Sequence, residues 1–577
     1  MGKLNPALVP LLALAAGIIF SPGHTFLFTA VAVAAAVVCF LLRKYRYGVI
    51  AAIAAAGALS VSLAQPPHLQ ADMFEIPRDY LGLVERVTDG SDGESAQVDI
   101  LNGDRPFRIA LYCDQGELAA GDTVLFSGVL RNPDAYGDMP FMDSYALWAR
   151  ANGISASIFC KGTELRVTGT SRSLKYLPER LAARFEDFIY SAPFSPETAA
   201  VLSAVLVGRE RVPESIAASF RTSGTAHLLC ISGFHIGLLI ALLTFVLWPL
   251  KIFEYGWKWV IIIAGALVWL YVCITGLQPP AVRAATMYTV FAAVRITERD
   301  ASSLNVLAIS AFIILLVKPL WIWSAGFQLS LSAVAAIIVF APKFTVLDAR
   351  YGWQHRLNVV FAVALAAAIG TAPVLAFHFH NVPLLSVVAN VAAVTVFPVF
   401  ICAALLCLAL TAVGIPSLWA GRLTDRIFDI IDAAAFTGTR FDVGLSGLYP
   451  RIPVLMLCVM ALVAAAVALH HKKTAVRIAA ASAGLVCLCL TACVGPGEEN
   501  MVYVHRGMIL EVNAEGGRIV TTAPRRSRPA EYLPFFEGNG VAWGAVRMEH
   551  AADSIVHTCC GEVPVSATRT ENALRIR

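Results

Sequence analysis

The chain has 577 residues, 58% of them hydrophobic and 15% charged, with a mean hydropathy of +0.69. A soluble chain carries about 25% charged residues, so this composition excludes an ordinary soluble enzyme and indicates a polytopic membrane protein. The net charge of only +4 excludes nucleic-acid-like basicity over the whole chain, and any basic surface must be local.

Residues 1–64 hold three apolar segments, Pro6–Phe20, Phe26–Leu42 and Tyr47–Leu63, each near the ~20 residues a bilayer needs. A second and third segment follow the first at once, so the N-terminus does not read as a cleaved signal peptide. Arg43, Lys44 and Arg46 follow the second segment and place that loop in the cytoplasm by the positive-inside rule. Residues 65–170 are then outside. They show short alternating runs (Tyr80–Val87, Gln97–Leu101, Phe107–Tyr112, Thr123–Leu130, Ile154–Phe159, Glu164–Val167) separated by turn pairs such as Asn102-Gly103. With one helical stretch at Met142–Asn152, the pattern predicts a small OB-like β-barrel, with a sandwich as the alternative. Its Cys113 and Cys160 read either as a disulfide, if this block is outside the cytoplasm, or as two unpaired thiols, whereas most other cysteines are scattered through apolar segments.

Residues 171–226 interleave charged and apolar positions and predict amphipathic helices at the membrane surface or between the polar domain and the membrane body. Arg209, Arg211 and Arg221 cluster at their end, either as a headgroup-facing patch or as a basic mouth that gathers phosphates. The second membrane block, 227–414, opens on Thr225-Ala226-His227-Leu228-Leu229-Cys230-Ile231-Ser232-Gly233-Phe234-His235-Ile236-Gly237. Two histidines, a serine and two glycines at the head of an apolar run have two readings, an interfacial helix start or a site at membrane depth. Arg283, Gln328 and Asn390 add polar groups on three further apolar segments, and an Arg at a helix centre costs about 2.5–3.5 kcal/mol on insertion scales. Together they predict an internal polar path built partly from broken helices. The apolar run Val382–Val413 is too long for a simple span and reads as a broken or re-entrant piece followed by a full helix. Residues 415–494 predict an amphipathic helix and two last spans, and 495–577 a short extracytoplasmic β-rich tail.

Several chemistries lack their motifs. No Gly-x-x-x-x-Gly-Lys-Ser/Thr occurs, so there is no Walker-type ATPase pattern, and no His-Glu-x-x-His occurs. His378-Phe379-His380 starts like a metallohydrolase signature but continues Asn381-Val382-Pro383 without a carboxylate, which predicts no metal site and no cofactor.

The run Gly224–Gly237 closely resembles the signature of the ComEC family, the inner-membrane DNA-uptake channels of natural transformation. Leu206-Val207-Gly208-Arg209-Glu210-Arg211-Val212-Pro213 precedes it. Thr275-Gly276, Val282-Arg283-Ala284, Met287, Ser303-Leu304-Asn305, Gly326-Phe327-Gln328-Leu329-Ser330, Val388-Ala389-Asn390 and Pro398 follow in order. In the outer domain Asn132-Pro133 and the stretch from Tyr145 to Gly153-Ile154 look like the family motif that closes its OB-like domain. The resemblance spans Met1–Val413. It implies a multi-pass protein of about 10–12 spans in the cell inner membrane that passes single-stranded DNA. It also implies a periplasmic DNA receptor, a cytoplasmic helicase-type ATPase and surrounding membrane lipids. Many family members carry a C-terminal metallo-β-lactamase-like domain; the tail here is short and lacks its His-x-His-x-Asp-His ligands, so strand degradation is expected from a separate nuclease and none from this chain.

On this reading His227, Ser232, Gly233, His235, Gly237, Arg283, Gln328 and Asn390 line the path. Arg209, Arg211 and Arg221 stand at its mouth. The alternatives are an intramembrane hydrolase using His227, Ser232 and His235, or a small-molecule or lipid transporter.

Overall fold

A computed structural model describes residues 8–20, 45–67, 69, 71–74, 76–90, 93–102, 106–113, 118–133, 144–160, 165–171, 173–209, 212–344, 352–383, 386–439, 444–446, 457–465, 501–505, 508–513, 516–521, 546–550, 555–558, 561–564 and 574–576. The expected spans Phe26–Leu42 and Ala475–Val494, and Arg211, lie outside these residues. Two N-terminal helices, α1 (Leu8–Phe20) and α2 (Tyr45–Ala64), pack as a pair. Their backbones nearly touch because Gly17 and Gly57 face the partner helix, where a Cβ would collide with the carbonyls of Ala54 and Leu14.

The polar domain is a six-stranded sheet in the order β5-β3-β2-β1-β4-β6. Its strands are β1 (Arg78–Gly90), β2 (Gly93–Ile100), β3 (Phe107–Cys113), β4 (Asp122–Gly128), β5 (Ile154–Cys160) and β6 (Arg166–Thr170), with α3 (Ser144–Ala151) between β4 and β5. Alternation in β3 and β5 sends Ile109, Leu111, Ala156 and Ile158 into a core with Val84, Val98, Val124 and Phe126. Each fully buried large aliphatic or aromatic side chain there contributes about 1.5–3 kcal/mol. The β3–β5 pair is parallel and all other pairs in the sheet are antiparallel. One bridge, Arg131 to Ser157, links the segment after β4 to β5, and no ladder closes the sheet into a barrel among the described residues. Cys113 and Cys160 are register partners on β3 and β5, both buried, with their Sγ atoms 3.0 Å apart.

Among the described residues, four helices are long and apolar enough to cross a membrane: Gly256–Ile274, Ala325–Phe344, Gln354–Phe379 and Thr395–Ala412. They belong to α8 (Gly256–Ile274), α11 (Ala325–Phe344), α12 (Gly352–Phe379) and α13 (Ser386–Ala412), and shorter apolar helices pack around them. Among the helices preceding α8, α4 (Leu177–Ser191) and α6 (Glu214–Thr222) are amphipathic, as the mixed sequence predicts, but α5 (Pro196–Leu206) is not a surface helix. Every residue of α5 from Thr198 to Leu206 is buried, because the segment has no charged residue beyond Glu197 and is apolar all round. Its core partners include Phe220 of α6, Phe397, Phe400 and Ala404 of α13, and Phe428 of α14 (Leu418–Thr439). Gly421 allows α14 to approach within van der Waals range of the Pro193 carbonyl, and Asp425 accepts a hydrogen bond from the Ser195 backbone at 3.0 Å.

The break expected within Val382–Val413 is absent. After a three-residue strand, β7 (Asn381–Pro383), α13 runs unbroken for 27 residues with Pro398 inside it. Proline removes one rung of the helix ladder, and the flanking turns suffice to hold the helix together. The break falls instead at the head of the second membrane block. The tail forms a five-stranded sheet from Met501–His505 (β8), Met508–Asn513 (β9), Gly516–Thr521 (β10), Val546–His550 (β11) and Leu574–Ile576 (β12), in the order β11-β10-β9-β8-β12.

Candidate functional site

The residues from Glu214 to Val246 show why this stretch does not fold as one helix. α6 ends at Thr222, and Gly224 adopts φ +75°. The Gly224 amide then donates to the Arg221 carbonyl at 3.1 Å and the Thr225 amide to the Phe220 carbonyl at 2.8 Å. That paired termination suits glycine, which alone enters the left-handed region without strain. A 3-10 turn over Ala226–Leu228 follows, and α7 (Gly233–Val246) starts afresh. Ser232 caps α7: its Oγ accepts from the His235 amide at 3.4 Å, while the Ser232 amide donates to His235 Nδ1 at 3.2 Å. At 14 residues, α7 is ~21 Å long, short of the ~30 Å hydrocarbon layer. The family-like signature is therefore a broken segment whose hinge is Leu229–Ser232.

Polar atoms without partners gather around that hinge. His235 is 8% exposed and packs against Phe397 of α13 at a ring separation of 5.1 Å, yet its Nε2 has no hydrogen-bond partner. His227 lies within electrostatic range of His235, and Cys230 within range of Arg283. Arg283 sits on α9 (Pro279–Ile296), one turn past two N-terminal prolines, and is 5% exposed with its Nε unpartnered. No carboxylate lies within ion-pair distance of it among the described residues. Its guanidinium faces Gly326 at the start of α11, where an added Cβ would meet the terminal nitrogens at 3.6 and 3.8 Å. Buried polar atoms are normally satisfied, which sets the His235 Nε2 and Arg283 Nε apart from the rest of this core. Gly233 and Gly237 are exposed on the outer face of α7, with no atom within 4 Å of an added Cβ.

The other expected residues divide. Gln328 on α11 is engaged: its Nε2 donates to the Ile322 carbonyl at 2.9 Å and its Oε1 lies 3.0 Å from His378 Nε2 of α12. It braces two helices, and His378, which the sequence offers only as half of a metal motif, is its partner. Asn390 on α13 has a buried, unpartnered Oδ1. Arg221 is exposed and pairs with Glu214 of its own helix. Among the described residues no three His, Cys, Asp or Glu side chains gather as metal ligands.

Arg209 holds a junction. Its guanidinium lies 3.5 Å from Glu179 and 3.4 Å from Glu186, both on α4, and donates to the Val87 carbonyl of β1 at 3.2 Å. Arg86 of β1 lies 3.7 Å from the same Glu179 and donates to the Gly276 carbonyl at 2.6 Å, where α8 ends. Burial holds the Glu179 carboxyl above the usual range, against the pull of Arg209 and Arg86, and burial lowers the Arg86 guanidinium. These contacts fix the polar domain to one end of the helices. The Lys258–Glu298 pair, 3.0 Å apart, marks the opposite end of the α8–α9 pair. The sequence names Arg209 by its charge; its carboxylate partners lie 30 and 23 positions away and have no motif of their own.

An α-helical core with long apolar helices, a broken helix beside the unpartnered His235 and Arg283 atoms, and a β domain at one end fits a membrane protein. The family described as "Competence protein" matches residues 205–474. ComE operon protein 3 of Bacillus subtilis (strain 168) is 31% identical over 196 residues, 34% of this chain and 24% of that protein. Uncharacterized protein YcaI of Escherichia coli (strain K12) is 30% identical over 208 residues, 34% of this chain and 27% of that protein. The matched stretch thus spans about a quarter of the length of these curated relatives (24% and 27%). No solved structure matches the chain. The matched region holds the hinge, Arg283, Gln328 and Asn390, and over that region the chain is similar to the competence-protein family.

Proposed function

We propose that this chain serves DNA uptake by passing a single strand of DNA across the cell inner membrane past the Leu229–Ser232 hinge. The observation that carries the reading is Arg283: a buried guanidinium with an unpartnered Nε and no carboxylate at ion-pair distance among the described residues. A cation kept unneutralised inside an apolar core is costly unless an anion visits it, and a phosphate backbone supplies a visiting anion at every step. His235, Ser232 and Asn390 would supply neutral hydrogen-bonding groups, so no step binds too deeply to leave.

The polar domain is read as an OB-like module outside the cytoplasm. The β1–β2–β3 meander, the parallel β3–β5 pair and the β1–β4 pair support that topology, with Arg131–Ser157 as the incipient closure. Lys251, Lys258, Arg295 and Arg299, at the helix ends away from this domain, would face the cytoplasm. A receptor outside, a helicase-type ATPase inside and a separate nuclease complete the scheme, since the 577 residues carry no Walker A pattern and no His-x-His-x-Asp-His. We assign the chain no catalytic step.

A hydrolase reading has one observation in its favour, the 3.1 Å approach of Ser232 Oγ to His235 Nδ1. The same atoms form a helix cap, and His235 Nε2 meets no carboxylate, so the pair lacks the oriented base that an activated serine requires. The test is uptake of labelled DNA by cells deleted for this gene and complemented with wild type or Arg283→Gln; unchanged uptake in the deletion sinks the proposal.

A further inference from the structure

Two runs of aromatic and guanidinium groups, one ending at Trp148 and one starting at Arg150 on another face of the same helix, lie between the outer edge of the polar domain and the turn that leads to Gly326 and Arg283. The first starts at Phe159 on β5, the edge strand of the sheet, whose other residues are buried except the half-buried Ser155, and which leaves Phe159 55% exposed. Arg131 lies over the Phe159 ring at 4.5 Å, and Tyr112 of β3 stacks on it at 4.7 Å with 15° between the planes. The Tyr112 hydroxyl lies 3.4 Å from that of Tyr145 on α3, whose ring is 5.5 Å from Trp148 one turn on. Trp148 is 41% exposed. Arg150, two residues further, reaches over Trp323 at 5.9 Å. Trp323 ends a 3-10 turn, Pro319–Trp323, that packs on α3 and leads into α11, where Gly326 faces the Arg283 guanidinium.

Phe159 and Trp148 are large rings left exposed, Phe159 directly under a guanidinium and Trp148 on the helix that carries Arg150. Exposed rings with guanidiniums at hand are the chemistry that stacks unpaired bases and neutralises the phosphates between them. A duplex hides its base faces, so it would gain only the phosphate contacts. We propose that Phe159, Tyr112, Trp148 and Trp323, with Arg131 and Arg150, form a stacking track that receives a single strand of nucleic acid and hands it to Arg283. The direction of transfer rests on the DNA-passage reading; the binding surface does not.

The experiment uses the full-length chain in detergent or nanodiscs and the fluorescence anisotropy of a labelled oligo-thymidylate of about 20 nucleotides. Wild type binds it and prefers it to a duplex of equal length. Phe159→Ala with Trp148→Ala weakens binding at least about tenfold, given what stacking on an aromatic contributes per base. Phe159→Trp with Trp148→Phe, which keeps the rings, stays within about threefold of wild type on the same scale. Absent binding by wild type, binding by the alanine variant equal to wild type, or an equal loss in the ring-retaining variant each overturns the track. Unchanged DNA uptake in the gene deletion, with oligonucleotide binding still lost in the alanine variant, would sink the uptake reading and leave the track standing.

Discussion

Arg86 of the polar domain donates a 2.6 Å hydrogen bond to the carbonyl of Gly276 in the membrane core, across 190 residues of sequence, while its Nε lies 3.7 Å from Glu179. Gly276 has φ +73°, and a Cβ there would run into the Glu179 carboxylate. One glycine thus sets both the turn and the ion-pair junction that docks the two parts. Gly276→Ala should cost on the order of 1–3 kcal/mol of thermal stability and loosen the domain contact. Protease sensitivity of the segment around 171–176 is the readout, and a variant as resistant as wild type contradicts the docking role.

Removing the cation from the junction is worse than removing one carboxylate. Arg209→Ala takes the shared cation from the buried Glu186 and the half-buried Glu179, which keeps only Arg86, at a cost on the order of 3 kcal/mol, whereas Glu179→Gln removes one carboxylate charge and should cost less. The pH dependence follows from the direction of the shift. Burial already raises the folded Glu179 carboxyl, and loss of Arg209 raises it further. A carboxyl that binds its proton more tightly folded than unfolded gives up stability as pH rises through its folded value and regains it as pH falls. Melting of Arg209→Ala should approach wild type as the buffer is taken from neutral toward mild acid; a gap that widens would overturn this.

The legibility of the chain followed the physics of each signal. Period-two alternation placed β1 to β5 closely, because each strand buries one face in a single core. The head of the second membrane block was readable as broken because glycines and a capping serine are local signals. Pro398 misled, since a proline inside a long helix leaves neighbouring rungs intact, and α13 stays continuous. Arg283 stood out by the cost of burying charge. The partners of Arg209 and Gln328 did not, because ion pairs and helix braces between distant segments follow from packing, which leaves no local pattern.

Cys113 and Cys160, buried and 3.0 Å apart on paired strands, should be joined when the chain is made in an oxidising compartment. Thiol labelling after denaturation, with and without reductant, reads this out. Replacing either by Ser should lower stability by about 2–4 kcal/mol in the oxidised protein and change little in the reduced one. Full labelling without reductant would place this domain in a reducing compartment.

Ser232→Ala separates a helix cap from a nucleophile. Losing the cap costs about 1 kcal/mol, and uptake should fall only modestly while the protein remains in the membrane. Complete loss of function at normal abundance would favour the hydrolase reading.

The central claim is that Arg283 is a cation kept open for a passing phosphate backbone. Its direct measure is uptake of labelled DNA by cells carrying Arg283→Gln or Arg283→Lys at wild-type membrane abundance. The account predicts a fall of about tenfold or more for Gln and substantial retention for Lys, because the charge matters more than the fork geometry. Uptake by the Gln variant equal to wild type would contradict it.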